Sequence, residues 1–202
     1  LHPAGRSAQK RYYGHSLRAE MTTIMLQTSF PLLDDILDEW RPLIGVDYAG
    51  YRNHVCRMLN FCLALHDCSP EETEKLIIAG AFHDIGLWTG KTLDYLPPSL
   101  PPARDYLAQR GLQAWTTEIE LMITEHHKLR RYPDTVYPLV EVFRKGDLVD
   151  FSLGAVRFGL PSDFIRQVKA AFPNEGFHAN LAKLGAKWFV RHPLNPVPMM
   201  KW

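Results

Sequence analysis

The chain has 202 residues, 46% hydrophobic and 22% charged, with a formal net charge of +1. That length and balance suit one globular domain and exclude collagen, a coiled coil and wholesale disorder. No run of about 18 apolar residues occurs, so no membrane span is expected, and near-neutral charge argues against a nucleic-acid polymer as partner.

Residues 1–20 hold Arg6, Lys10, Arg11 and Arg18 against Glu20 alone, and no apolar stretch follows as in a secretory signal. Residues 1–30 are read as an N-terminal extension, a tag or a leader, with Met21 offering a native start. A helical domain is expected over 31–191. It opens with Leu33, Ile36, Leu37 and Trp40 on one stripe. Residues 48–66 repeat the pattern through Tyr51, Val55, Met58, Cys62 and Leu65, with His54 inside the apolar stripe. Ser69-Pro70-Glu71-Glu72 has the form of a capped helix start: a hydroxyl cap, Pro at the first position and Glu three residues after the cap. The helix it opens is apolar on all sides from Leu76 to Phe82, so it should be buried, and Gly86 is a natural stop.

Residues 87–102, with four prolines, are expected to form a loop beside whatever site lies before them. Helical spacing resumes at 103–110, 114–127, 136–152, 161–171 and 177–190. Residues 192–202 are expected to run as a Pro-rich extended tail. No stretch alternates as a strand does. The fold class is therefore all-α, a single bundle of about seven helices.

Three cysteines without a CxxC pair fit neither a disulfide framework nor a thiolate zinc site, which points to a reducing compartment and a cytoplasmic location. Nine histidines stand against them, so a metal here should be held by imidazole and carboxylate.

His83-Asp84 closes the buried helix, where a charge is costly unless paired or metal-bound. A capping pair is the alternative. His54 faces the core of its own helix and needs partners for both ring nitrogens. In 139–151 a helix puts Val140, Phe143, Asp147 and Phe151 on one face. Asp150, three residues on, competes with Asp147 for any role there, and a buried salt bridge to Arg144 or Arg57 is the alternative. Two His and two Asp suit Mn, Fe, Co, Ni or Zn.

The ordered set His54, His83-Asp84-Ile85-Gly86 and Asp147 in Gly146-Asp-Leu-Val-Asp150 resembles the HD-domain superfamily of metal-dependent phosphohydrolases, with its H…HD…D pattern. The gaps are 29 residues from His54 to His83 and 63 from Asp84 to Asp147, and the resemblance covers about residues 45–152. It implies an all-helical fold, with His54, His83, Asp84 and Asp147 as ligands of a divalent transition metal. The superfamily includes nucleotidases, triphosphohydrolases and cyclic-nucleotide phosphodiesterases. It also includes diiron oxygenases and enzymes that hydrate nitriles. Two-metal members use further histidines between the dyad and the last Asp. This chain offers only His126 and His127, and on one helix only one of the two can face the site, so one metal per chain is expected. A Glu kept by some nucleotidases three residues after the dyad is Leu87 here, which leaves Asp150 or Glu125 as substitutes.

The function read from these residues is hydrolysis of a phosphate ester, such as a nucleotide, by a metal-activated water. Asp84, His127 and Asp150 are the candidate proton-transfer groups. Lys128, Arg130, Arg131 and Arg52 are the candidate contacts to a small anionic substrate. A homodimer is left open. The competing readings are a diiron oxygenase, a small-molecule lyase or hydratase, and a non-catalytic metal- or ligand-binding domain.

Overall fold

The computed structural model describes residues 24–195 and 197–200, and the readings made for residues 1–23 lie outside them. Helix α1 (Pro31–Ile44) turns Leu33, Ile36 and Leu37 into the core, as its spacing dictates. The chain before it belongs to the same packing. Phe30 is fully buried, and Gln27 exchanges hydrogen bonds with the Asn60 side chain (2.9 and 3.0 Å). The packed unit thus begins ahead of residue 31.

Helix α2 (Tyr48–Leu65) is the axis of the bundle and is buried on most of its surface. Helix α3 (Pro70–Phe82) starts with a complete capping box. Ser69 Oγ accepts the Glu72 N–H at 3.2 Å, and the Glu72 carboxylate accepts the Ser69 N–H at 2.8 Å. Every residue from Leu76 to Phe82 is buried, which agrees with the all-round apolar pattern.

The segment expected as a loop is mostly helical instead. A single turn, α4 (Gly86–Thr89), leads to α5 (Leu96–Gln109). Pro97 and Pro98 occupy the first turn of α5, where a missing N–H costs nothing. Pro102 leaves the Pro98 carbonyl without its helical partner, and the Thr89 hydroxyl sits 3.3 Å from it. Gly86 is not a left-handed stop either. It is glycine because a Cβ there would lie 2.0 Å from the Tyr95 carbonyl oxygen. Ser99 Oγ accepts the Gly86 N–H (2.9 Å) and reaches the His83 carbonyl (3.1 Å), which ties α5 to the turn that carries the dyad.

Helix α6 (Thr116–Glu125) stops two residues short of the range read from its spacing. Helix α7 (Pro138–Phe151) packs along α2, and α8 (Ser162–Ala171) covers the other flank of α2. Gly146 allows the α2–α7 approach, because a Cβ there would meet Cys62 Sγ at 2.3 Å and the Met58 carbonyl at 3.0 Å. Helix α9 (Phe177–Arg191) buries only Phe177 fully.

The described part of the tail, residues 192–195 and 197–200, does not run extended, and residues 196, 201 and 202 of that reading lie outside the described ones. It makes two turns, through Asn195 N–H to the His192 carbonyl (3.0 Å) and Met200 N–H to the Val197 carbonyl (3.1 Å). Val197, Met199 and Met200 return to the bundle to line an apolar cavity, while Leu194 is fully exposed. No strand occurs among the described residues, and none of their helices is long and apolar enough to cross a membrane. The architecture is an all-α bundle with all three cysteines free.

Candidate metal centre

His54 comes from α2, His83-Asp84 from the turn after α3, and Asp147 from α7, so three elements converge on one buried point. His54 Nε2 lies 3.1 Å from His83 Nε2, 3.5 Å from Asp147 Oδ1 and 3.8 Å from Asp84 Oδ2. His83 Nε2 lies 3.4 Å from Asp84 Oδ2. Because α6 ends at Glu125, His126 and His127 sit in a turn rather than on a helix, and both reach the cluster. His126 Nε2 is 3.6 Å from Asp84 Oδ1, and His127 Nδ1 is 3.9 Å from Asp147 Oδ2. The expectation that only one of the two can face the site assumed a helix that does not extend that far.

The tautomers follow from the acceptors. A carbonyl oxygen only accepts, so His83 Nδ1–H donates to Gly80 (2.8 Å) and His126 Nδ1–H donates to Ile123 (2.8 Å). His54 Nδ1–H donates to Asp150 Oδ2 at 2.7 Å. In its neutral form each ring therefore turns a bare Nε2 lone pair toward the same space, and the Asp84 and Asp147 carboxylates pull the His126 pKa upward against its burial. Two of the buried polar atoms there, Asp84 Oδ1 and His126 Nε2, have no hydrogen-bond partner. Facing lone pairs and partnerless buried acceptors are unfavourable alone and suited to a cation.

The charges agree. Among the described residues no lysine or arginine lies within ion-pair distance of Asp84 or Asp147. Burial pushes the Asp147 carboxyl up to about 6, and the His126 and His54 rings only partly offset it. Burial would also raise Asp84, but the imidazoles of His83, His126 and His54 hold it well below the usual carboxylate range. Burial drives the His83 imidazole down to about 3, so it stays neutral and able to ligate. Two groups of close-set donors are placed to hold a metal ion: His54, His83 and Asp84, and Asp84, His126 and His127.

Asp150 faces away from this inner space. Its carboxylate binds the Arg57 guanidinium in a fork (2.5 and 2.8 Å) and orients His54 from behind. Burial opposes its ionisation, but His54 and Arg57 outweigh that and hold it well below the usual range. A carboxylate behind a ligating histidine fixes its tautomer and raises its basicity. Both Asp150 oxygens are thus engaged by Arg57, and one of them also by His54.

The remaining candidates scatter. Arg52 is held by Asp34 (2.5 and 2.9 Å). Arg130 and Arg131 are exposed, and neither they nor Lys128 line the cavity in front of the cluster. Leu87 lines neighbouring cavities. That cavity, of about 310 Å3, is floored by His54, Asp84 and Asp147 and walled by Tyr95 and His127, whose side chains hydrogen-bond to each other. Phe177 stacks on the His54 ring at 4.4 Å. The contributions of Leu181, Gly185, Met199 and Met200 were not foreseen. Apolar residues spaced between the tail prolines were the available signal.

Compared with family models, with curated proteins and with solved structures, the chain matches none. The fold and the donor cluster define an all-α protein with buried His/Asp groups fit for a metal ion.

Proposed function

We propose that this chain is a metal-dependent hydrolytic enzyme of the HD kind, in which a divalent transition metal activates water against an electrophilic substrate. The convergence of imidazole nitrogens on two carboxylates that lack a lysine or arginine partner carries this reading. His54, His83, Asp84 and Asp147 would hold the ion. Bound there, it supplies a Lewis acid that activates water near neutral pH.

The chain's own residues do the rest. Asp150 and Arg57 lock the His54 ring, and Ser99 and Gly86 hold the dyad turn. The Tyr95 hydroxyl and His127, bonded to each other on the cavity wall, are placed to pass a proton to a departing group. A phosphate ester needs positive charge close to its oxygens. Lys91, Lys187 and Arg191 line a neighbouring groove of about 330 Å3 that shares Leu93 with the cavity.

A second reading has two metal ions, since Asp84 belongs to both donor groups. That arrangement would open the oxygenase alternative. Elemental analysis of protein purified under metal-replete conditions tests the core of the proposal. Stoichiometric transition metal, lost in His83→Ala and Asp84→Ala, supports it; wild type as empty as the variants overturns it. Two irons per chain with a mixed-valent paramagnetic signal would favour the oxygenase. The metal-loaded enzyme is then assayed on phosphate esters, nucleotides and nitriles.

A further inference from the structure

Resting on the hydrolytic reading of the same site, we propose that its substrate carries an uncharged apolar body, and that Gly185 sets the size of that body. The cavity over the donors is roofed by the C-terminal segment. Phe177, Leu181 and Gly185 of α9, with Val197, Met199 and Met200 of the tail, face it, and Leu93 and Phe151 close the sides.

Among the described residues lining this space there is no lysine or arginine. Its polar members are the metal donors, the Tyr95–His127 pair and His178. His178 is spent on structure: Nε2–H donates to the Asp150 carbonyl at 3.1 Å, and Nδ1 accepts from the Asn174 amide. Away from the donors, then, the walls offer no uncommitted polar group. A charged or heavily hydroxylated body would lose its water there without replacement. An apolar one gains by burial, and a volume near 310 Å3 sits at the small end of ligand sites.

Gly185 lies on the wall with open space before it, since a Cβ added there meets nothing within 4 Å. A side chain at this cavity-lining position has room to grow without displacing the bundle, and it replaces a glycine inside a helix, where other residues are better tolerated.

The test uses the full chain labelled with 13C-methyl methionine, with toluene and inorganic phosphate as probes. Met199 and Met200 line the cavity, while Met58 and Met122 are buried elsewhere and serve as controls. Toluene is expected to shift the Met199 and Met200 methyls to saturation and to leave Met58 and Met122 unmoved. Gly185→Leu should weaken that binding at least tenfold, and Gly185→Ala much less. Helical circular dichroism is recorded for each variant. If Gly185→Leu loses it, Ala182→Leu on the same wall takes its place. Failure of toluene to move Met199 and Met200, equal binding in the filled variant, or saturable movement by phosphate instead would overturn the proposal. Metal content measured on the same samples separates the two readings. An apolar site in a chain that holds no metal refutes the hydrolytic function alone, and a metal-loaded chain that ignores toluene refutes the substrate class alone.

Discussion

The Nε2 atoms of His54 and His83 lie 3.1 Å apart, and the Nδ1–H of each ring is already donated, to Asp150 and to the Gly80 carbonyl. Neither ring has a spare proton to place between them while both are neutral. The contact is relieved by a cation that both nitrogens can share as ligands. Adding Zn, Mn or Fe to chelated protein should therefore raise Tm, and His83→Ala should abolish the rise. Differential scanning calorimetry with and without metal reads this directly.

Asp147 and Asp150 should respond in opposite ways to the same change. Asp147→Asn removes a buried carboxylate that lacks a lysine or arginine partner, so the metal-free chain should be stabilised by about 1–3 kcal/mol while the metal-induced gain disappears. Asp150→Asn strands the buried Arg57 and should cost about 3–5 kcal/mol in either form. It should also weaken metal affinity about 10–100-fold through the freed His54 ring. Urea unfolding of both variants with and without metal separates the two roles.

Gly86→Ala should be among the most damaging substitutions outside the donors. Its Cβ would lie 2.0 Å from the Tyr95 carbonyl oxygen and 2.8 Å from Ser99 Oγ, so α5 must move off the dyad turn. Overpacking of this kind costs about 1–3 kcal/mol or more. Ser99→Ala, which leaves the buried Gly86 N–H without a partner, should cost about 1–3 kcal/mol. Denaturation midpoints and metal content of the two variants check the order.

Ser69→Ala serves as a control remote from the site. Loss of the cap should cost about 1 kcal/mol near neutral pH and leave metal content unchanged. The Glu72 carboxyl is held below its ordinary value by the Ser69 N–H. A lowered carboxyl pKa contributes stability above the unfolded value and loses it as pH falls through the folded one. The stability contributed by Glu72, read as wild type against Glu72→Gln, should therefore be full at neutral pH and shrink under acid. A difference that grew as pH fell would contradict the cap geometry.

Much of this was legible from residue order. The stripes of α1 and α2, the cap at Ser69 and the all-round apolar run to Phe82 are local patterns, and local patterns survive in a sequence. The stretch 87–102 was not, because four prolines read as a loop unless one knows that two of them stand where α5 needs no N–H and that Thr89 covers the carbonyl left by Pro102. The reach of both His126 and His127 was hidden in the same way, since it depends on α6 ending at Glu125, one residue earlier than the pair.

By itself the sequence determined an all-α fold and the lack of any run of about 18 apolar residues, with His54, His83-Asp84 and an aspartate of α7 on faces directed inward. Only the tertiary structure set Asp147 and Asp150 apart in space. Residues three apart on a helix differ by about 60° around the axis and about 4.5 Å along it, so periodicity alone leaves them equivalent. Arg57, across the α2–α7 contact, draws Asp150 to the far side of His54, and Asp147 is left facing the imidazole nitrogens. The apolar roof had to wait for the fold as well, because Gly185, Met199 and Met200 acquire a cavity to face only when α9 and the tail close over residues as distant in the chain as His54 and Asp84.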